Sequence, residues 1–102
     1  MEVEVPELTR LAKRGFTLKL RVYNGNDNLR LDLEEFPLTL MKQTIEDEPG
    51  TNNFIVTAPG IRASHHLVDW ILGRADRVEV LAPARLRSYV ADRIEKMYRR
   101  YA

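Results

Sequence analysis

The stretch Phe16–Tyr23, FTLKLRVY, alternates without a break. Phe16, Leu18, Leu20 and Val22 fall on one side of an extended chain, and Thr17, Lys19, Arg21 and Tyr23 on the other. A helix would scatter those four apolar residues around its circumference. The pattern requires a strand with one buried face, and so a sheet with another layer laid against that face.

The rest of the chain is punctuated around this strand. VPELTRLAKRG reads as a short N-terminal helix, with Pro6 in the first turn, Leu8 and Leu11 three apart, and Gly15 as the stop. Residues 1–15 are accordingly an N-terminal linker or short helix, and residues 16–102 one domain. NGNDN is a loop by composition. In LRLDLEEF, Leu29, Leu31 and Leu33 alternate like a strand, while Leu29, Leu33 and Phe36 fit a helix; Pro37 discourages Phe36 from staying helical, and a short helix is expected. TLMKQTIED reads as a strand, EPGTNN as a turn, and FIVTA as a strand pairing back in a hairpin, with PGIRA a loop after it. Ser64 is an N-cap for HHLVDWIL, and Gly73 is placed to end that helix. RVEVLA is a strand with Val78 and Val80 on one face. Pro83 opens a last helix, along which Leu86, Val90, Ile94, Met97 and Tyr101 recur at three- and four-residue steps.

The central order, βαββαβ, predicts an α+β domain: a ferredoxin-like antiparallel sheet with an added C-terminal amphipathic helix. Helices cover one sheet face. The other face stays open unless the terminal helices or another chain cover it. This architecture hosts many functions and selects none.

Size and charge narrow the field. A chain of 102 residues is one small domain. It buries only about two thirds of the surface its unfolded form exposes, so an apolar stripe left outside wants a partner. The absence of cysteine excludes disulfides, thiolate metal sites and cysteine nucleophiles, and suits a reducing cytosol. MEVEVPELTR has no apolar core of a secretory signal, and no apolar run approaches a membrane span. The net charge is +1, but it is unevenly placed. Residues 1–61 hold 7 basic and 10 acidic groups, and residues 62–102 hold 9 basic and 5 acidic. The basic C-terminal third is either a solvated helix face or a surface for phosphate.

The chemistry-bearing residues point away from catalysis. His65 and His66 are adjacent, hence about 100° apart on a helix, and Asp69 is the one carboxylate nearby; no metal site is expected. Trp70 shares a helix face with Leu67 and Ile71, as a core residue would. Glu34 with Glu35, and Glu46 to Glu48, are acid neighbours that nothing brings to one cleft. NGNDN lacks the spacing of a phosphate loop, and Ser64 beside His65 is not a triad. Neither enzyme activity nor a cofactor is expected. What remains is Arg85, Arg87, Arg93, Lys96, Arg99 and Arg100, interleaved with Tyr89, Tyr98 and Tyr101. Arginine and tyrosine hold phosphates and stack on bases, and they are equally enriched at protein interfaces.

WILGRADRVEVLAPARLRSYVADRIEKMYRRY, residues 70–101, resembles the C-terminal extension, or WCX domain, that follows the WYL domain in bacterial transcription regulators. The resemblance rests on Trp70, Gly73, Val78, Val80, Leu81, Pro83, Leu86, Arg87 and Tyr101. Upstream, LEEFPLTLMKQ is similar to another stretch of that extension through Leu33, Glu35, Pro37, Leu38 and Gln43. Together the pieces span residues 16–101.

The resemblance implies a ferredoxin-like module that helps dimerise a regulator and transmit its signal. Its partners would be a second copy, the WYL domain of the full-length protein, and an effector of nucleic-acid or nucleotide type, in the bacterial cytoplasm and away from membranes. The helix-turn-helix and the WYL core are missing, so the chain reads as an excised domain or a short member. The ligand or interface candidates are then Arg85, Arg87, Arg93, Tyr89, Tyr98 and Tyr101. Pro37, Gln43, Trp70, Gly73, Pro83 and Leu86 are the motif's structural positions. For Arg87 two uses stay open: the signalling surface, or an ion pair with Glu79 or Asp92. The alternative for the whole chain is a small nucleic-acid-binding module using its basic C-terminal face.

Overall fold

Leu18, Leu20 and Val22 have no exposed surface, as the alternation of the first strand requires. The structure, a computed structural model, describes residues 15–23 and 27–102. Its elements are β1 (Phe16–Val22), α1 (Asp27–Glu35), β2 (Thr44–Asp47), β3 (Phe54–Ile61), α2 (His65–Gly73), a 3₁₀ turn (Ala75–Arg77), β4 (Val78–Ala82) and α3 (Ala84–Tyr101). The strands form one antiparallel sheet in the order β2-β3-β1-β4. Of the expected N-terminal helix only Gly15 is described, and Asn24–Asn26 of the expected NGNDN loop also lie outside the described residues. Asp27 and Asn28 belong to α1 rather than to that loop.

The core lies between the sheet and the helices. Leu18, Leu20, Val22, Phe54, Val56, Ala58, Val78 and Val80 meet Leu29 and Leu33 of α1, Val68 and Ile71 of α2, and Leu86 and Val90 of α3. Each of the larger aliphatic side chains contributes about 1.5–3 kcal/mol by leaving water. The helical reading of LRLDLEEF prevails over the strand reading because Leu29 and Leu33 are one turn apart and both are buried, while Leu31 is exposed. The opposite sheet face is polar: Thr17 and Lys19 are exposed, and Arg21, Ile55, Thr57 and Glu79 half-buried.

Two strand boundaries differ from the sequence expectation. β2 begins at Thr44, so Thr39–Gln43 do not join it. Side chains there take the backbone groups a ladder would have used. The Leu38 N–H donates to Gln43 Oε1 (3.0 Å), Gln43 Nε2 donates to the Leu33 carbonyl (2.9 Å), and the Met41 N–H donates to Thr39 Oγ1 (3.0 Å). The Thr39 hydroxyl in turn donates to the Pro59 carbonyl. β3, by contrast, runs through Pro59–Ile61, which the composition reads as loop. β2 pairs only as far as Thr57, so the strand side at Pro59 has no ladder partner and proline's missing N–H costs little. An irregularity in the β1–β3 register between Phe16 and Leu18 absorbs the change, and Gly60 takes φ 68° there. A Cβ at Gly60 would press on the Met41 sulfur.

The helix ends follow local chemistry. Ser64 Oγ accepts from the Leu67 N–H at 3.1 Å, as expected of an N-cap. Gly73 is the last residue of α2, but the left-handed residue at this corner is Ala75, with φ 55°. Pro83 is the N-cap of α3, and its carbonyl accepts the Arg87 N–H at 3.1 Å.

Candidate functional site

The alternation of β1 sends Arg21 and Tyr23 to the polar face, and that of β4 sends Glu79 there. Register then sets Arg21 directly opposite Glu79. Arg21 Nη1 donates to Glu79 Oε1 at 3.0 Å, and the Tyr23 hydroxyl donates to the same oxygen. The other oxygen, Oε2, accepts from Arg87 Nη1 of α3 at 2.7 Å. Arg21 also grips Glu48, just past β2, through both Nε and Nη2 at 3.1 Å, and Asn53 Nδ2 reaches Glu48 Oε1 at 3.2 Å. One chain of charge-assisted bonds thus runs from the β2–β3 hairpin across β1 and β4 to α3.

This concentration of donors changes Glu79 itself. The Tyr23 hydroxyl first, and then Arg87, hold its carboxyl at about 2, below its ordinary 4.5, although desolvation opposes them. Glu79 is therefore charged throughout the physiological range. Arg87 Nη1 donates as well to the Val80 carbonyl at 2.8 Å. Of the two acids open to Arg87 from the sequence, Glu79 takes it. Leu86 beside it is fully buried, as the helical spacing requires.

The sequence-derived candidates on α3 separate by depth. Tyr89 and Arg93 are half-buried, and Arg85 is exposed. Tyr98 and Tyr101 are exposed, beside Arg99 and Arg100. The apolar stripe does not dock along its full length. Leu86 is 0% and Val90 6% exposed, but Ile94 is 52%, Met97 45% and Tyr101 90%. The 18-residue helix is about 27 Å long, and among the described residues no strand covers its exposed second half. Where the covered and uncovered halves meet, Val78, Glu79, Val80, Arg87, Val90, Ala91 and Ile94 line an open groove of about 180 Å³.

Of the motif positions outside α3, Gln43 holds the 36–43 loop, as described above, and Pro37 stands exposed at its start. Trp70 is half-buried against the core, with the Arg74 guanidinium 5.1 Å from its ring. Leu38, Ile61, Leu67 and Trp70, with the exposed Leu40 and Met41, line an open groove of about 630 Å³. His65 and His66 are both exposed on the first turn of α2.

The sequence names Arg21 and Tyr23 only as the outward face of a strand and Glu48 only as one of a run of acids, and gives none of them a site role. The alternation of FTLKLRVY places Arg21 and Tyr23 on the polar face, but the Glu79 partnership needs the β1–β4 register, which joins residues 58 apart.

The model of the WCX domain matches residues 14–98. The chain belongs to the WCX domain family. The match takes in all four strands, α1, α2 and most of α3, and so both the Glu79 network and the groove beside β4. Neither a search of curated proteins nor one of solved structures returned a match. No helix among the described residues of this WCX domain is long and apolar enough to cross a membrane.

Proposed function

We propose that this WCX domain is the C-terminal dimerisation and effector-signalling module of a WYL-type DNA-binding transcription regulator, acting in the cytoplasm and without catalysis of its own. The family match over residues 14–98 carries the reading. Assignment to the ferredoxin-like class belongs to the same proposal, supported by the βαββαβ element order and the β2-β3-β1-β4 sheet. Signalling suits a domain whose last helix is tied at one end to a charge network and stands free at the other. A homodimer suits the uncovered stripe on α3.

Light scattering of the chain from about 10 to several hundred micromolar tests dimerisation; a mass moving from 11.9 kDa toward twice that value is the expected result. In a regulator carrying this domain, removing residues 16–102 is expected to abolish the effector's control over operator binding. Retained control overturns the signalling role.

A second reading, a small nucleic-acid-binding module, draws on the exposed Tyr98 and Tyr101 beside Arg99 and Arg100. It requires the isolated chain to bind single-stranded oligonucleotides with affinity that falls steeply as salt rises.

A further inference from the structure

The 36–43 loop holds two large apolar side chains in water. Leu40 is fully exposed and Met41 largely so. The loop that carries them is pinned. Gln43 ties it to Leu33, Thr39 ties it to Pro59, and Gly60 leaves room for the Met41 sulfur. Apolar side chains fixed in water mark a docking surface. Both line the groove of about 630 Å³, with Ile61 of β3 and with Leu67 and Trp70 of α2. The groove's charged rim is Arg62, and among the described residues no carboxylate lines it.

The chain enters the domain beside this groove. Phe16, at the start of β1, pairs with Ile61, and a Cβ on Gly15 would lie 3.5 Å from the Ile61 carbonyl oxygen. Whatever precedes Gly15 is thus joined to the domain at the groove's edge. The preceding stretch, PELTRLAKR, has a helical pattern with a matching stripe. Leu8, Leu11 and Ala12 fall on one side at steps of three and four; Arg10 and Lys13 fall on the opposite side, and Glu7 at the border. A helix of about nine residues is marginal in water by itself, so this stripe needs a surface to bury it. Leu11 and Leu8 are four and seven residues from Gly15, or about 6 and 10 Å along a helix, so both stay close to the groove.

We propose that residues 6–14 of this chain dock in the groove as an amphipathic helix, with Leu8 and Leu11 turned to its apolar lining and Arg10 and Lys13 to water. Covalent attachment at the groove's edge selects this occupant over a separate protein. Charge agrees with it, since a groove free of carboxylates and rimmed by Arg62 accepts the acidic border of the stripe at Glu7. The inference goes beyond the function proposed above: it ties the approach to β1 onto α2 and the 36–43 loop.

Trp70 is the chain's one tryptophan and lines the groove, so its fluorescence reports what covers the groove. In the full chain, Leu8→Glu with Leu11→Glu is expected to shift Trp70 emission to the red. Quenching by acrylamide should rise about twofold, as the half-buried ring gains contact with water. Ile94→Glu, on the exposed half of α3, should move neither signal. A second measurement alters no core residue. The chain contains no cysteine, so pairs can be introduced singly. Leu11→Cys with Met41→Cys is oxidised at about 1 µM, where a bond within one chain outruns a bond between two. It is expected to close about tenfold faster than Lys13→Cys with Met41→Cys, although Lys13 has the shorter tether, because position 13 faces away and a disulfide needs its Cα atoms within about 7 Å.

Unchanged Trp70 emission and quenching in the Leu8→Glu, Leu11→Glu variant would overturn the docking and leave the groove to another protein. A red shift that Ile94→Glu reproduces would mark general loosening of the domain and overturn it equally. Equal closure rates for the two cysteine pairs would show a segment held by its tether alone, with no preferred face.

Discussion

The two halves of α3 have the same pattern and different fates. In Leu86–Val90 the apolar steps meet β4 and α2, and Arg87 locks the helix to Glu79 and to the Val80 carbonyl. In Ile94–Tyr101 the same steps meet solvent. Hydrophobic spacing thus defines a face, but it does not say where the surface under that face ends. The first half is a structural element of the domain, and the second half is surface the domain offers outward.

The sharpest break in the comparison is a core truncation. Leu86→Ala removes a fully buried side chain and is expected to cost about 2–5 kcal/mol. In a domain of this size that lowers the melting temperature by at least about 8 °C, at roughly 4–8 °C per kcal/mol. Ile94→Ala, in the outer half, is expected to cost less than about 1 kcal/mol. Equal effects in thermal unfolding would erase the distinction between the halves.

Next in size is Glu79→Gln. The amide keeps the shape but cannot accept charge-assisted bonds from Tyr23, Arg87 and Arg21 as the carboxylate does. The side chain is partly open to water, so the expected loss is about 1–3 kcal/mol in denaturant unfolding at neutral pH.

The same residue gives the pH dependence its sign. Its folded carboxyl titrates near 2 and its ordinary value is 4.5. The folded state therefore resists protonation more than the unfolded state, and Glu79 contributes fully above about pH 4.5. The contribution is lost as pH falls from 4.5 toward 2. The stability gap between the unaltered chain and Glu79→Gln should be constant above pH 5 and narrow below it. A gap that widens on acidification would remove Glu79 from the centre of the network.

The smallest effect expected belongs to Arg87→Ala. Arg87 is 52% exposed, so its ion pair is screened and contributes about 0–1 kcal/mol. A melting temperature within a few degrees of the unaltered chain, with the effector response of the intact regulator blunted, would assign Arg87 to signalling. An unaltered response would leave it as the clasp between α3 and β4.

Much of this was legible in the residues. The period-two alternation of FTLKLRVY and RVEVLA announced strands, because successive side chains must point to opposite faces. Ser64 announced a helix start because its hydroxyl can take the Leu67 N–H. The 36–43 loop was not legible: TLMKQTIED alternates well enough for a strand, and only folding brings Gln43 within reach of the Leu33 carbonyl and Thr39 within reach of Pro59. Likewise, the PGIRA stretch has loop composition, yet Ile61 pairs with Phe16.

The sequence by itself determined the strand character and buried faces of β1 and β4, the helix start at Ser64, the apolar stripe of α3 and the family resemblance, because these depend on periods of a few residues and on local hydrogen-bond chemistry. Only the tertiary structure decided that Glu79 gathers Arg21, Tyr23 and Arg87, and that cover for α3 stops after Val90. Both depend on strand register and on the extent of the sheet. Those are set by pairings between residues far apart in the chain, which no local pattern encodes.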